Sequence, residues 1–415
     1  MAKKDKKDKE EKKDGEKKEG GTITQQDDEV SITDDVRGAD YYHGLVPRVD
    51  IEPLLKKDGD FLLRKTDNKG ESCQIVLAIS AFHNDRVCHF MVNQDVDNSF
   101  YIEEHHEKSV SDLIQWHMRT KTALSTETGC KLRTPIERPN WLLNHDSLRL
   151  KKKLGEGAFG EVYLAEFSGA TGKSEVAVKT MRDEASREAR LKFMKEARLM
   201  RKFAHKHVVR IFGVAVHENP LMIVMEFCTG GSLVSYLRKN KEKMSLGTKL
   251  RFVTEAADGL WYLERMKCIH RDIAARNCLL TGKNELKISD FGMSDDKMSL
   301  QDDKIEKVPV KWLAPETMQQ RLYSTSSDVW SYGIMVWEVY SEGADPYPGW
   351  TNLQTRAKVV MHDYRMEMPK DTPKAVSTLI AQCWEKEPGK RPNFGTIYKK
   401  LKEINKKEDS TMGKT

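Results

Sequence analysis

Five polar patterns that follow one another between residues 155 and 292 constrain the fold of this 415-residue chain more than any other feature. They are a glycine-rich loop, a lysine in an apolar strand, a glutamate on a predicted helix, an HRD motif and a DFG motif. Each pattern is common by itself, because flexible hairpins also carry glycines and aspartates also form turns. In this order, they indicate one site that a large unit assembles from distant parts of the chain.

The unit that holds these patterns changes character along its length. From residue 148 it reads as strands broken by glycines, and after Ser186 apolar residues recur at helical spacing, as in 250–266 and 328–340. A strand-rich lobe followed by a helical lobe leaves a cleft between them, which is a common place for a ligand.

The residue types in this cleft suit phosphoryl transfer. Glycines let backbone amides approach phosphate oxygens, and Lys179 adds an ammonium that Glu196, 17 residues later, can hold in position. Asp272, Asn277 and Asp290 offer hard oxygen ligands of the kind that Mg²⁺ prefers. Phosphoryl transfer needs a group that orients the hydroxyl, metals that bridge the phosphates and a cation that neutralises charge.

The five patterns resemble those of the protein kinases, over residues 148–405. The resemblance implies a bilobal fold that binds ATP and Mg²⁺ in the cleft, with a catalytic set of Asp272 as the base, Lys179, Arg276 and Asn277. It also implies that Asn277 and Asp290 bind the metal. The residues that it places around ATP are Leu154, Gly155, Glu156, Gly157, Ala158, Phe159, Gly160, Glu161, Val162, Ala177, Lys179, Glu196, Met225, Glu226, Cys228 and Leu279. The residues that it gives structural roles are Glu316, Arg391 and Asp328.

Two further segments are similar to the tyrosine kinase version of the pattern. The catalytic loop reads HRDIAARN, whereas Ser/Thr kinases usually carry a lysine two residues after the aspartate. The segment VPVKW resembles a platform for the substrate ring, formed by Pro309 and Trp312. A platform further from the base favours a phenol over the shorter aliphatic hydroxyl. These features oppose the alternative of a Ser/Thr kinase.

Upstream, the run FLLRKT places Arg64 among residues that otherwise read as buried. A buried charge without a partner is costly, so its partner is either a carboxylate of the same chain or an anion from outside. Arg48 and His89 supply further donors, and Thr66 and Ser72 flank a loop with free amides. Arginine suits a phosphate dianion, but the residues alone leave both partners open.

Residues 41–130 read as helix, sheet and helix, and their order of YHG, Arg48 and FLLR resembles a Src-homology-2 (SH2) domain. The resemblance implies an α+β fold, with a central antiparallel sheet flanked by two helices, that binds phosphotyrosine peptides. Arg64 would bind the phosphate, and Arg48 and His89 would frame the ring. Met91 stands where some members carry a lysine, so the phosphate would depend more on the two arginines.

An SH2 domain joined to a tyrosine kinase resembles the Fes/Fer group, in a short architecture like that of nematode kinases. The predicted organisation is a disordered charged tail (1–40), the SH2 domain (41–130), a linker (131–147), the kinase domain (148–405) and a second tail (406–415). With about 40 residues before the first domain, we expect the chain to lack the long N-terminal module of the group's full-length members.

Composition limits the partners. With 70 Lys and Arg against 64 Asp and Glu, the net charge of +6 is too mild for a dedicated nucleic-acid binder. No apolar run approaches the roughly 20 residues that span a bilayer, and the seven cysteines are never spaced CxxC. We therefore expect a cytoplasmic protein without a structural zinc site or a disulfide framework, which reaches the inner face of the plasma membrane only through partners.

The segment between Asp290 and Glu316 departs from the family pattern because it contains no tyrosine. Tyrosine kinases usually carry one there, and its phosphate pairs with basic groups that include the HRD arginine. One hypothesis is that Asp302, Asp303 or both partly replace this phosphate against Arg271; the alternative is a shortened, solvated loop. Asp295 also stands where relatives often carry a basic residue, which would be consistent with weak intrinsic activity.

Two classes of function remain. The first is a non-receptor tyrosine kinase that transfers the γ-phosphate of ATP to tyrosines of proteins and is recruited by phosphotyrosine. The second is a phosphotyrosine-binding adaptor with a weakly active kinase domain. Lys179, Asp272 and Asp290 favour the enzyme, because an adaptor has no chemical need for all three. The short linker also suggests that the first domain braces the helix that carries Glu196.

Overall fold

In a computed structural model of the protein, the described residues are 34–67, 75–157, 160–170, 172–182, 185–302 and 308–412, with side chains from 35 to 407. They form the predicted architecture, in which an α+β unit precedes a larger unit with a strand-rich lobe and a helical lobe. No helix within these ranges combines the length and the apolar character that crossing a membrane requires.

The first unit has a central sheet with helices against it. Its strands are β1 (Tyr42–Leu45), β2 (Asp60–Asp67), β3 (Ile75–His83), β4 (Arg86–Met91), β5 (Asn93–Gln94), β6 (Phe100–Tyr101) and β7 (His106–Glu107). Its helices are α1 (Asp34–Arg37), α2 (Arg48–Ile51) and α3 (Val110–Thr120). β2, β3 and β4 pair antiparallel, and β1 joins β2 in parallel.

The apolar run of β2 is buried because both faces of this strand are covered. Phe61 and Leu63 pack into the core on the α3 side, whereas Leu62 packs into a second cluster on the α2 side. Side chains alternate along a strand, so Arg64 faces α2 with Leu62. The sequence signal of a continuous apolar run therefore has a simple packing cause.

Both predicted tails differ from the structure where it describes them. Val36 on α1 is buried in the core of the first unit, whereas the sequence places residues 34–40 in the charged tail. A four-residue helix is too short to produce a recognisable apolar period. At the other end, α11 (Phe394–Met412) continues beyond residue 405, where the sequence places the start of the second tail. Residues 1–33 lie outside the described residues.

The segment predicted as a linker, 131–147, packs against both units. A short strand within it, β8 (Thr134–Pro135), pairs with β2 of the first unit. Leu142 is buried and forms a bridge with Val214 of the following lobe. Trp141 lies under the guanidinium of Arg201, 3.6 Å from the ring centroid.

The strand-rich lobe is a five-stranded antiparallel sheet with one long helix. Its elements are β9 (Leu148–Glu156), β10 (Glu161–Gly169), β11 (Gly172–Thr180), α4 (Arg187–Met200), β12 (Ile211–Ala215) and β13 (Met222–Glu226). The strand order is β12-β13-β11-β10-β9. Ser186 caps α4 by accepting a hydrogen bond from the amide of Ala189, which explains where this helix begins.

The helical lobe surrounds α8, whose residues are buried on nearly every side. Its helices are α5 (Leu233–Lys239), α6 (Leu246–Arg265), α7 (Pro315–Gln320), α8 (Thr325–Tyr340), α9 (Asn352–Met361), α10 (Lys374–Cys383) and α11. Its strands are β14 (Gly231–Ser232), β15 (Cys278–Leu280), β16 (Leu286–Ile288), β17 (Ser299–Gln301) and β18 (Leu322–Ser324). Short 3-10 turns lie at Glu52–Leu54, His145–Ser147, Ala275–Asn277, Val310–Trp312 and Pro388–Lys390.

Candidate active site and phosphate pocket

A buried ion pair joins the sheet of the strand-rich lobe to its helix. Lys179 on β11 donates to both carboxylate oxygens of Glu196 on α4, each at 2.8 Å. Both residues are buried, and Asp290 lies 3.7 Å from the same ammonium. Burial alone would lower the pKa of Lys179, but the charges of Glu196 and Asp290 raise it, so the ammonium stays protonated.

The DFG motif is fixed by packing next to this pair. Asp290 adopts a left-handed backbone conformation with φ of 61°, and its carboxylate is about half exposed to the cleft. Phe291 is buried against His270 and Phe203, with ring centroids 5.1 and 5.3 Å apart. These contacts hold the motif with its carboxylate towards Lys179.

The catalytic loop brings three of the predicted residues together. Asn277 donates its side-chain amide to the carboxylate of Asp272 at 2.7 Å and to the backbone oxygen of Asp272 at 2.8 Å. Arg276 forms an ion pair with the other carboxylate oxygen of Asp272. The aspartate is therefore oriented from two sides and remains an acceptor for a proton.

This loop is suspended from the buried helix α8. The carboxylate of Asp328 accepts hydrogen bonds from the amides of His270 and Arg271, at 2.7 and 2.9 Å. Burial raises the pKa of Asp328 to about 6, although these bonds oppose the shift. Asp328 thus supports the loop from below, in the position that the resemblance implies.

The side-chain oxygen atoms that face the cleft are suitable ligands for a hard divalent cation. Because the nitrogen of the Asn277 amide is used on Asp272, its oxygen is directed elsewhere, and the Asp290 carboxylate is open to the cleft. Carboxylate and amide oxygens are ligands that Mg²⁺ accepts together with substrate phosphates and water. Within the described ranges, no group of three or more His, Cys, Asp or Glu could hold a metal by itself.

The glycine loop is the turn between β9 and β10. Gly157 donates its amide to the oxygen of Gly160 at 2.7 Å, and a Cβ on Gly160 would lie 2.0 Å from the oxygen of Thr180. Only glycine fits at this approach to β11. Leu154 and Glu156 end β9, and Glu161 and Val162 begin β10. Ala158 and Phe159 lie outside the described residues.

Most of the remaining residues predicted around ATP lie on strands at the cleft, and Cys228 follows one of them. Ala177 on β11 is opposite Met225 on β13. Glu226 ends β13 and accepts the amide of Arg210 at 2.7 Å. Cys228 follows two residues later, and burial raises the pKa of its thiol to about 12, so the thiol is protonated near pH 7. Leu279 on β15 belongs to the opposite lobe.

Glu338 connects the catalytic loop to the predicted substrate platform. Its carboxylate accepts the amide of Ala275 at 2.9 Å and the indole nitrogen of Trp312 at 3.0 Å. Arg276 stacks on the same indole, 4.4 Å from a ring centroid, and Pro309 caps the turn that carries it. Burial raises the pKa of Glu338 to about 7. Glu338 is not among the residues predicted for the site, although a charge in the apolar run GIMVWEVY is a signal.

Ion pairs anchor the segment that links Asp290 to α7. At its end, Arg391 donates to both oxygens of Glu316 at 2.6 and 2.8 Å in a buried pair. Asp302 lies 2.7 Å from the guanidinium of Arg271, and Asp303 falls outside the described residues. Asp295 lies 2.5 Å from the ammonium of Lys195 on α4, so this unusual acid has a partner.

Arg64 of the first unit is fully buried and reaches neutral partners. Its Nε donates to the hydroxyl of Ser80 at 3.0 Å, and one Nη donates to the backbone oxygen of Val46 at 3.1 Å. Its other Nη is buried without a hydrogen-bond partner in the described part of the chain. Burial and the neighbouring Arg48 lower the pKa of Arg64 to about 10, so it remains a cation. An orphaned donor on a buried cation favours the external anion over the internal ion pair.

The other residues predicted for this pocket surround Arg64 in part. Arg48 begins α2 and Thr66 lies two residues after Arg64 on β2. His89 on β4 is bonded to the hydroxyl of Ser80 at 2.9 Å, and burial lowers its pKa to about 4. The ring is therefore neutral near pH 7 and acts through hydrogen bonding and packing. Ser72 lies outside the described residues.

Ion pairs join the first unit to α4. Arg198 on α4 donates to both oxygens of the buried Asp50 at 2.8 and 2.7 Å, and Arg201 lies 3.7 Å away. Asp67 at the end of β2 pairs with Arg190 of the same helix. The sequence shows no signal for these contacts, since the partners are separated by 148 and 123 residues.

Apolar packing continues this interface. Ile51 and Leu62 of the first unit share a buried cluster with Phe193, Met194 and Ala197 of α4. The unit also meets the neighbouring lobe through its backbone, because the amide of residue 45 donates to the oxygen of residue 216 at 2.8 Å. The helix that carries Glu196 is thus fixed on its outer side by the first unit.

Comparisons with known proteins agree with this arrangement. Residues 148–401 match the family described as protein tyrosine and serine/threonine kinase, and residues 41–117 match the SH2 domain. Fer-related kinase 1 of Caenorhabditis elegans is 59% identical over 389 residues, which cover 92% of this chain and 98% of that protein.

Two further relatives are longer than this chain. Tyrosine-protein kinase Fer of Rattus norvegicus is 39% identical over 392 residues, which cover 93% of this chain and 46% of that protein. Tyrosine-protein kinase transforming protein Fps of Fujinami sarcoma virus is 37% identical over 370 residues, which cover 88% of this chain and 41% of that protein. The chain thus spans less than half the length of these two relatives.

Proposed function

The chain belongs to the SH2-containing protein tyrosine kinases of the Fer type, and we propose that its assembled cleft transfers the γ-phosphate of ATP to tyrosines of phosphotyrosine-marked proteins. The observation that carries this proposal is the buried pair of Lys179 and Glu196, with Asp290 3.7 Å from the same ammonium. A buried ion pair is costly and is retained where a charge must be held in one place.

Each residue of the cleft has one task in the transfer. Lys179, held by Glu196, neutralises charge on the phosphates of the nucleotide. Asp272, oriented by Asn277 and Arg276, accepts the proton of the tyrosine hydroxyl as the phenolic oxygen forms its bond to phosphorus. The bond from phosphorus to the bridging oxygen of ADP breaks, and ADP leaves.

Asn277 and Asp290 are the residues that would hold Mg²⁺. When bound, the metal neutralises charge on the phosphate oxygens. The carboxylate of Asp290 points into the cleft because Phe291 is buried behind it. The side-chain amide of Asn277 would serve both the catalytic base and the metal, since its nitrogen orients Asp272 and its oxygen remains for Mg²⁺.

The platform supports tyrosine as the substrate. Glu338 fixes Trp312 relative to the Ala275 amide, so the platform and the catalytic loop keep a constant separation. A ring resting on Pro309 and Trp312 would present its hydroxyl to Asp272. The alternative of an adaptor with a weakly active kinase domain is not favoured, because Lys179, Asp272 and Asp290 are all present and lie at the cleft with Glu196 and Asn277 as their neighbours.

We further propose that phosphotyrosine recruits the enzyme through Arg64. The buried guanidinium has an Nη without a hydrogen-bond partner among the described residues, and Arg48 adds a second cation, which together suit a phosphate dianion. A docked phosphopeptide raises the concentration of neighbouring tyrosines near the cleft. Recruitment by phosphotyrosine would place the enzyme in the cytoplasm, and at the inner face of the plasma membrane when its partners lie there.

The same domain would also brace the active site. Asp50 holds Arg198 on the helix that carries Glu196, and the apolar cluster of Ile51 and Phe193 lies beside this pair. Outward movement of the helix would break the Lys179–Glu196 pair and the domain interface together. We therefore expect catalysis to depend on the first domain even with a non-phosphorylated peptide.

A radiolabel assay tests the proposed function. The purified chain is incubated with MgATP labelled at the γ-phosphate and a peptide whose only hydroxyl-bearing residue is tyrosine, with a phenylalanine-substituted peptide as the control. We expect label in the tyrosine peptide only. Asp272→Asn should abolish incorporation while it leaves phosphopeptide binding intact.

The same assay separates the alternatives. Phosphopeptide binding without any incorporation would support the adaptor instead. Incorporation into a serine peptide in preference to the tyrosine peptide would contradict the platform argument. Incorporation that persists in Asp272→Asn would refute the role of this carboxylate as the base.

A further inference from the structure

A partly buried ion pair fixes the segment after the DFG motif to the catalytic loop. The carboxylate of Asp302 lies 2.7 Å from the guanidinium of Arg271, the residue directly before Asp272. The Arg271 side chain is 10% exposed and that of Asp302 is 23% exposed. Water therefore screens the pair only in part, and it differs from exposed surface pairs that contribute little.

Arg271 is held by three kinds of contact. Its amide donates to Asp328 on α8 at 2.9 Å, which fixes its backbone. Its guanidinium carbon lies 4.0 Å from the ring centroid of Tyr323, which covers one face. Asp302 binds the edge of the same group. Among the described residues, removing this carboxylate would leave the stacking contact with Tyr323 to orient the guanidinium.

Asp302 is held in its turn by the backbone. The strand β17 ends at the preceding residue and pairs antiparallel with β18, with Leu300 opposite Tyr323. The amide of Asp302 donates to the oxygen of Arg321 at 3.2 Å. The carboxylate therefore approaches Arg271 from an ordered strand pair, not from a free loop.

Kinase activation segments are commonly ordered when a phosphorylated side chain pairs with basic groups. Between Asp290 and Glu316 this chain has no tyrosine that could be phosphorylated. We propose that Asp302 takes the place of that phosphate: as a positioning residue, it holds Arg271 so that Asp272 is aligned without a phosphotyrosine in the segment. This inference rests on the proposed function, because it concerns the alignment of the same base.

The start of the segment is held by a carboxylate as well. Asp295 lies 2.5 Å from the ammonium of Lys195, and Lys195 precedes Glu196 on α4. Asp295 also exchanges two backbone hydrogen bonds with Ile269, each at 3.0 Å. Fixed carboxylates therefore hold the segment both to the catalytic loop and to the helix of the buried ion pair.

The test compares charge variants of the full chain in the tyrosine-peptide assay. All proteins are treated with a tyrosine phosphatase, which is then removed. The wild-type chain should show linear product formation without a lag and the kcat of untreated enzyme. Asp302→Asn should lower kcat by about ten-fold to a hundred-fold, the range for a hydrogen bond to a charged group, and leave the KM for ATP unchanged.

Two further variants separate positioning from stability. Asp302→Glu keeps the charge, so its kcat should lie nearer to the wild type than to Asp302→Asn. Asp371→Asn makes the same charge change at an exposed site of the helical lobe and should have the wild-type kcat. Every kcat is divided by the folded fraction from a thermal melt.

Each contrary result has a distinct meaning. Loss of wild-type activity after phosphatase treatment overturns the inference, and this comparison uses the wild-type chain alone. Equal kcat for Asp302→Asn and Asp371→Asn overturns it too, as does an Asp302→Glu variant as slow as Asp302→Asn. A wild-type chain that transfers no phosphate under any treatment overturns the proposed function itself.

Discussion

Replacing Asp50 with asparagine removes the buried charge through which the SH2 domain holds the helix of Glu196. In the wild-type chain the Asp50 side chain is 1% exposed, and both of its oxygens accept from Arg198. Arg201 adds a weaker contact at 3.7 Å. Asparagine keeps the volume of the side chain, so the variant tests the charge and leaves the packing of Ile51 nearly unchanged.

The contacts set the size of the effect. Breaking a fully buried ion pair costs about 3–5 kcal/mol. Arg198 and Arg201 are 26% and 24% exposed, so water can partly rehydrate them, and we expect a loss of about 2 kcal/mol. A loss of this size lowers the ratio of molecules with α4 in its inward position to molecules with α4 moved outward by a factor of about 30. If this population ratio is about 10 in the wild type, it falls to about 0.3 in the variant. Because only molecules with α4 inward are active, kcat falls about four-fold.

The assay pairs kinetics with amide exchange. For Asp50→Asn we expect a kcat that is lower by about four-fold and faster hydrogen exchange of the backbone amides in α4. Arg198→Gln should add little in the Asp50→Asn background, because both changes break the same pair. The exposed Asp97 of the same domain gives the matched control, Asp97→Asn. If Asp50→Asn matched that control in both kcat and exchange, Asp50 would not hold α4 in its inward position.

Other changes probe single contacts. Gly44→Ala places a Cβ 2.3 Å from the oxygen of Val216 at a φ of +73°, so we expect destabilisation by more than about 1 kcal/mol; an unchanged melting temperature would contradict this. Arg64→Leu should abolish calorimetric binding of a phosphotyrosine peptide, and retained affinity would exclude Arg64 as the anchor. Burial raises the pKa of Glu338 from 4.5 to about 7, so its ionisation costs the folded state stability as the pH rises through that window. Glu338→Gln should therefore gain up to about 3 kcal/mol over the wild type in urea unfolding between about pH 5 and pH 8, and a constant difference would count against it.

The sequence predicts the parts of the site that short motifs encode. Lys179 and Glu196 are found from their spacing and from the elements on which they lie, and the structure joins them at 2.8 Å. The burial of Arg64 follows from its place in an apolar strand that is covered on both faces. In these cases one local pattern carries both the position and the chemistry.

Contacts between distant segments were beyond the sequence. Asp50 reads as an ordinary helix residue, and its partner lies 148 residues away. The neutrality of His89 follows from burial that no local pattern shows. The segment 131–147 reads as a linker from its prolines, yet it packs on both domains because Leu142 and Trp141 find partners in the kinase fold. In physical terms, tertiary burial and pairing decide these properties.

The attachment of α4 to the SH2 domain also bears on inhibitor design. A ligand that fills the space behind this helix can bind only when the helix moves away from the cleft. Here such a compound would first have to separate Asp50 from Arg198 and expose the apolar cluster around Phe193. The free energy needed to separate this interface reduces the binding free energy of such a compound. Ligands that fit the cleft with α4 in its inward position do not have this cost, so they should bind this enzyme more tightly.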